Sequence, residues 1–182
     1  MSVAPFLGSW TAMMTAMMLP SVAPLLLLQR RAGRSVVLLA LAYLLVWGAT
    51  GVPIYLATML VDPMSVPATL AGAIVVGAGL YQLTPLKRVC LRTCRSPLDF
   101  LLQHWRRGRL GELRLGALHG LYCVGCCWAL MAVLVFAAAM SFWWAAAIAG
   151  VVFVEKVLPW GDKLGRLLAV GLVTLGALTA AA

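Results

Sequence analysis

Three cysteines fall within five residues, Cys123, Cys126 and Cys127, one turn after a histidine in His119-Gly-Leu-Tyr-Cys-Val-Gly-Cys-Cys-Trp128. At about 100° per residue, a helix puts all four side chains on one narrow arc where they can face a common point. Thiolates are soft ligands that suit Cu(I) and zinc, and imidazole suits several transition metals, so this arc supplies part of a coordination shell. A thiol pair can also do redox chemistry. The competing reading is packing, because cysteine behaves as a small apolar residue common in buried helices.

Met13, Met14, Met17 and Met18 form a second cluster, with paired methionines repeating at four residues ahead of Pro20, where the helix should kink. Thioethers bind Cu(I) without losing a proton, although a flexible apolar side chain also fills space without any metal. Cys90 and Cys94 form a CxxxC pair beside Arg88, Arg92 and Arg95, neighbours that favour thiolate. Glu155-Lys156 sets an acid and a base at the end of an apolar stretch, where ionisable groups are expensive. Cys90, Cys94 and Glu155 are therefore secondary metal candidates. Against that, the arginines suit lipid headgroups, and Glu155 and Lys156 are placed to snorkel to the membrane surface. Tyr81-Gln82-Leu-Thr84-Pro85 closes another apolar stretch with polar groups and a breaker, which either line an internal cavity or satisfy helix-end carbonyls, the second being the preferred reading.

The elements that hold these residues must lie in lipid. Of 182 residues 64% are hydrophobic and 10% charged, and the mean hydropathy is +1.01, more apolar surface than a soluble domain of this size covers with polar groups. Stretches long enough for a hydrocarbon core, which needs about 20 helical residues, run at 4–28, 35–61, 66–86, 115–140, 141–158 and 164–181. The expectation is an all-α polytopic transmembrane helix bundle of about six spans, forming a single integral membrane domain over residues 1–182. The division at Met140-Ser141 is required because one undivided helix would overshoot the bilayer about twofold. Within 87–114, Ser96-Pro97-Leu98-Asp99 reads as a helix start. Leu98, Leu101, Leu102 and Trp105 then share a face, with Phe100 off it, as in a short cytoplasmic interfacial helix. Ala73 with Gly77, and Ala145 with Ala149, are small residues at helical spacing suited to close packing.

The net charge of +9 raises the question of a nucleic-acid partner, and the positions of the fourteen Lys and Arg residues answer it. They sit at Arg30–Arg34, Lys87–Arg114 and Lys156–Arg166, always after the first, third or fifth span. The positive-inside rule then puts those loops in the cytoplasm and both termini outside, so the basic charge is topology and no nucleic-acid partner is expected. The first span lacks a basic n-region and should stay as an anchor. By depth, Met13–Met18 and Cys123–Cys127 each lie about ten residues from a span end, near the bilayer midplane. No Gly-rich phosphate loop with Lys-Ser/Thr occurs, so active pumping by this chain alone is not expected.

Trp10…Met17-Met18-Leu-Pro20, Gln82-Leu-Thr84-Pro85-Leu-Lys87…Cys90…Cys94-Arg95-Ser-Pro97, Gly120-Leu-Tyr-Cys123-Val-Gly-Cys126-Cys127-Trp128 and Glu155-Lys156 together resemble a bacterial family of predicted metal-binding integral membrane proteins of unknown function. Some of its members look like copper-handling proteins. The resemblance covers nearly the whole chain and implies a multi-pass protein of the bacterial inner membrane. Members usually have another hydrophobic segment ahead of the Met-Met-Leu-Pro helix. An added helix would move the N-terminus to the other side and leave the clusters unchanged.

The leading expectation is a Cu(I)-binding membrane protein, with zinc as the other candidate, that transports or delivers metal through Cys123, Cys126, Cys127, His119, Met13, Met14, Met17 and Met18. A soluble metallochaperone that loads the site, or a homo-oligomer that completes it, are the partners such a site would need besides the lipid bilayer. Two rivals stand beside it. One is a membrane scaffold whose Cys and Met only pack. The other is a thiol oxidoreductase using a quinone, disfavoured because such chemistry usually serves the oxidising outer face.

Overall fold

A computed structural model describes residues 2–137, 141–158 and 160–181. Among these residues the chain is all-α, in the order α1 (Val3–Arg31), α2 (Val36–Leu60), α3 (Ala68–Gln82), α4 (Pro85–Arg95), α5 (Pro97–His104), α6 (Arg109–Phe136), α7 (Phe142–Val157) and α8 (Gly161–Ala181). Helices α1, α2, α6 and α8 are long and apolar enough to cross a membrane. Helices α3 and α4 pass that test jointly but meet at a 63° bend, which makes five spans if the pair is one. At 16 residues, α7 is shorter than the roughly 20 a straight crossing takes. Leu41, Leu45, Leu56, Leu60 and Leu167 all face outward, a surface for lipid rather than water. The chain is a multi-pass membrane protein.

The bend has a local cause. Pro85 cannot donate to the preceding turn, so α3 stops and a new helix starts. The Thr84 hydroxyl accepts the Lys87 amide at 3.3 Å and donates to the Tyr81 carbonyl at 2.8 Å, serving both helix ends. Further on, α6 ends at Phe136 and α7 begins at Phe142 with Ser141 at its N-cap. Met140, on which the expected division fell, lies outside the described residues.

The chain divides into two compact units, one formed by residues up to Ala57 with Cys90–Val124, the other by Thr58–Val89 with residues from Gly125 onward. Helices α2, α4 and α6 run from one into the other.

In the first unit, Trp10 of α1 is wholly buried and its indole N–H donates to the Trp47 carbonyl of α2 at 3.1 Å. Gly51 makes room for it, since a Cβ there would lie 2.7 Å from the Trp10 ring. At the other end of the same unit, Arg34 pairs with Glu112 at 3.3 Å, lies 4.7 Å over the Trp105 ring and donates to the Arg106 and Gly108 carbonyls. The α1–α2 turn and the α5–α6 turn are thereby fastened together. Between these ends, α2 and α6 come close at Gly116, where a Cβ would sit 2.2 Å from the Leu39 carbonyl oxygen.

Helix α5 starts where expected, with Ser96 at the N-cap and Pro97 first, and of its apolar stripe only Leu101 turns into the protein. Leu98, Leu102 and Trp105 are exposed, while Phe100 and Leu101 are buried. Phe100 packs on α6 rings, so the residue off the stripe anchors the helix.

In the second unit α3 lies along α8. A Cβ on Gly72 would stand 2.5 Å from the Gly176 carbonyl oxygen, and one on Gly79 would stand 2.8 Å from Val173. The small-residue contact expected at Ala73 and Gly77 is therefore one residue out of phase. Ala73 is exposed, and a Cβ on Gly77 would meet nothing within 4 Å. Ala145 of α7 is buried as expected.

Candidate metal centre

Helix α6 carries the densest donor set. Cys123, Cys126 and Cys127 are all buried, and their sulfurs lie within 4.8 Å of one another. The spacing i, i+3, i+4 is what brings them to one side of a single helix. All five cysteines of the chain are buried thiols. Because the three donors share one continuous helix, their grouping follows from local geometry.

Helix α2 adds a residue that the sequence did not mark. The Tyr43 side chain is fully buried, with its hydroxyl 3.0 Å from the Cys123 sulfur and 3.4 Å from the Met18 carbonyl oxygen. A phenol has one proton to donate. When Cys123 is a thiolate, that proton points at the sulfur, a charge-assisted bond of the stronger kind. The same hydroxyl lies within reach of the α1 backbone at Met18, so α1, α2 and α6 meet at Tyr43. Met14, Met17 and Met18 are buried and Met13 is half-buried.

His119 lies one turn before Cys123 and is also buried, yet it is not part of the three-sulfur group. Its ring is 5.9 Å from Tyr43 and meets Phe100 edge-on at 5.1 Å. On α6 beyond the boundary of the first unit, the Tyr81 hydroxyl of α3 donates to the Gly125 carbonyl, next to Cys126, and its ring packs on Trp128. Tyr81 thus fixes backbone adjacent to a donor.

The secondary candidates behave differently. Cys90 and Cys94 are buried one turn apart on α4. Glu155 is not at the surface. Both of its carboxylate oxygens accept from the Lys87 ammonium, at 2.9 and 2.8 Å, and the two side chains are 2–3% exposed. Lys156 is buried too, so neither residue snorkels. A carboxylate engaged through both oxygens by an ammonium serves as the counter-charge for that ammonium. The sequence reading missed Lys87, which looked like one more topological charge.

The fold and the donor set define a class, a multi-pass helical membrane protein with a buried three-thiol site suited to a soft metal ion. Residues 7–179 match the family model described as PpoB2, a copper chaperone, and the chain belongs to that family. No curated protein and no solved structure matches it.

Proposed function

We propose that the protein carries Cu(I) as cargo and delivers it, holding the ion on Cys123, Cys126 and Cys127. The carrying observation is that three sulfurs converge to within 4.8 Å, buried on a membrane-compatible helix of a copper-chaperone family member. The chemistry favours Cu(I) over Zn(II). Soft thiolates suit both ions, but a structural zinc site is normally closed by four ligands, whereas the thiol group here offers three. Methionines 13, 14, 17 and 18 and His119 are the neutral donors assigned to complete the shell, and the Tyr43 hydroxyl lies between the Cys123 sulfur and the α1 backbone at Met18.

The reading includes a topology of six spans in a bacterial inner membrane, with both termini outside. It requires α7 and the bent α3–α4 pair to count as one span each. Phe142, Trp143 and Trp144 are exposed at the start of α7 and Lys156 lies at its end, an interfacial arrangement that supports a crossing. The Arg34 contacts to residues 106–112 support a common side for two basic segments. A soluble metallochaperone or further copies of the chain would supply or receive the ion.

The test is Cu(I) and Zn(II) content per chain after anaerobic, reducing purification in detergent, comparing wild type with the Cys123→Ser/Cys126→Ser/Cys127→Ser variant. Stoichiometric copper that is lost in the variant is expected. Equal metal in both proteins, or none in either, overturns the assignment.

A further inference from the structure

Helix α4 holds two thiols of its own, apart from the cluster on α6. Its buried residues are Lys87, Cys90, Leu91 and Cys94, spaced i, i+3, i+4 and i+7 so that they form one inward face, while Arg88 and Arg92 are exposed outside that face. Cys90 and Cys94 are both free thiols. Each is 7% exposed, against 0–3% for the three thiols of α6. Side chains at i and i+4 have Cβ atoms about 5–6 Å apart, a gap that two metal–thiolate bonds of about 2.3 Å each bridge.

Donor type and charge both select the ion. Two thiolates are a sufficient set for Cu(I), which accepts low coordination numbers, whereas structural zinc is closed by four ligands. Cu(I) on two thiolates carries one negative charge. Helix α4 contains no acid between Pro85 and Arg95. Lys87 is already engaged by both carboxylate oxygens of Glu155, so Arg88 and Arg92 leave the helix positive. A field of that sign stabilises an anionic complex held on the same helix.

We infer that Cys90 and Cys94 form a second, exchangeable Cu(I) site on α4. The inference takes the identity of the ion from the copper-carrying reading above, and its ligands are not those of that reading. Each copper–sulfur bond replaces an S–H bond, both protons leave to water, and the copper stays Cu(I) throughout. With two ligands in place of three, and less enclosure, this pair holds its ion less tightly than the α6 thiols and trades it with a soluble carrier of the same soft donor chemistry. Copper that survives purification therefore belongs to α6, and the α4 ion is read by titration.

The experiment titrates the full chain carrying Cys123→Ser/Cys126→Ser/Cys127→Ser with Cu(I) from its bicinchoninate complex, in detergent under anaerobic conditions, and characterises the bound copper by X-ray absorption. One Cu(I) per chain with two sulfur ligands is expected, and none once Cys90→Ser/Cys94→Ser is added. In the otherwise unaltered chain, Cys90→Ala/Cys94→Ala is expected to keep the copper found on purification and the thermal midpoint, and to lose the further equivalent taken up on titration. No uptake by the α6 variant, where the wild-type chain binds Cu(I), overturns this inference alone, as does copper that survives removal of both α4 thiols. A single Cu(I) in wild type that only the α4 substitutions abolish supports this inference and overturns the assignment to α6. Wild-type protein that takes up no Cu(I) overturns both.

Discussion

The Tyr43 hydroxyl lies 3.0 Å from the Cys123 sulfur, and because it also reaches the Met18 carbonyl oxygen at 3.4 Å, one phenol links the cysteine helix to the backbone of the methionine helix. Tyr43→Phe keeps the ring and removes that link. Groups that hydrogen-bond a metal ligand typically contribute about 10- to 100-fold in affinity, so Cu(I) binding should weaken by about that factor with little change in thermal midpoint. Chelator competition measures it, and wild-type affinity in the variant would mean that the hydroxyl serves packing alone.

Met14 and Met18 are fully buried. Exchanging both for Leu roughly preserves volume and normally costs less than about 1.5 kcal/mol per site. If Met18 completes the coordination shell, Met18→Leu should lower Cu(I) affinity while Met14→Leu, one turn further along α1, lowers it less. Identical affinities for wild type and the double variant would remove the thioethers from the site.

Lys87 and Glu155 form a buried pair with both oxygens engaged. Removing one partner strands a charge, typically at a cost of about 3–5 kcal/mol. Lys87→Met alone should sharply lower thermal stability in detergent, and adding Glu155→Leu should recover much of it, since an apolar replacement of a buried pair is often neutral. Additive losses in the double variant would contradict the pairing.

Two glycines on α3 give opposite expectations. Gly72→Ala drives a methyl to 2.5 Å from the Gly176 carbonyl oxygen, so α3 and α8 must part at a cost of about 1–3 kcal/mol. Gly77→Ala meets nothing within 4 Å and should be neutral or gain up to about 1 kcal/mol from helix propensity. Thermal unfolding of the two variants distinguishes the phase seen here from the one expected from spacing.

The sequence shows best what is local. The arc of Cys123, Cys126 and Cys127 is legible because a helix alone makes it, and α1 and α2 are legible because each is one long apolar run. The third apolar stretch, expected at 66–86, is legible as α3 (Ala68–Gln82), but the 63° bend into α4 at Pro85 is not, because hydropathy carries no angle. Residues 87–95 looked like loop and are helix. What escapes entirely is long-range pairing. Tyr43 is 80 residues from Cys123, and Lys87 is 68 from Glu155, so no window holds both members of either pair. Phe100 was set aside because a stripe argument assigns each short helix one buried face. Helix α5 has lipid-compatible leucines on one side and a ring packed inward on the other.

The confinement of all three sulfurs to α6 bears on how the protein is made. A helix leaving the insertion machinery already holds Cys123, Cys126 and Cys127 at their final spacing, before α7 and α8 have been synthesised. Donor assembly thus precedes bundle assembly, and later helices contribute enclosure rather than ligands.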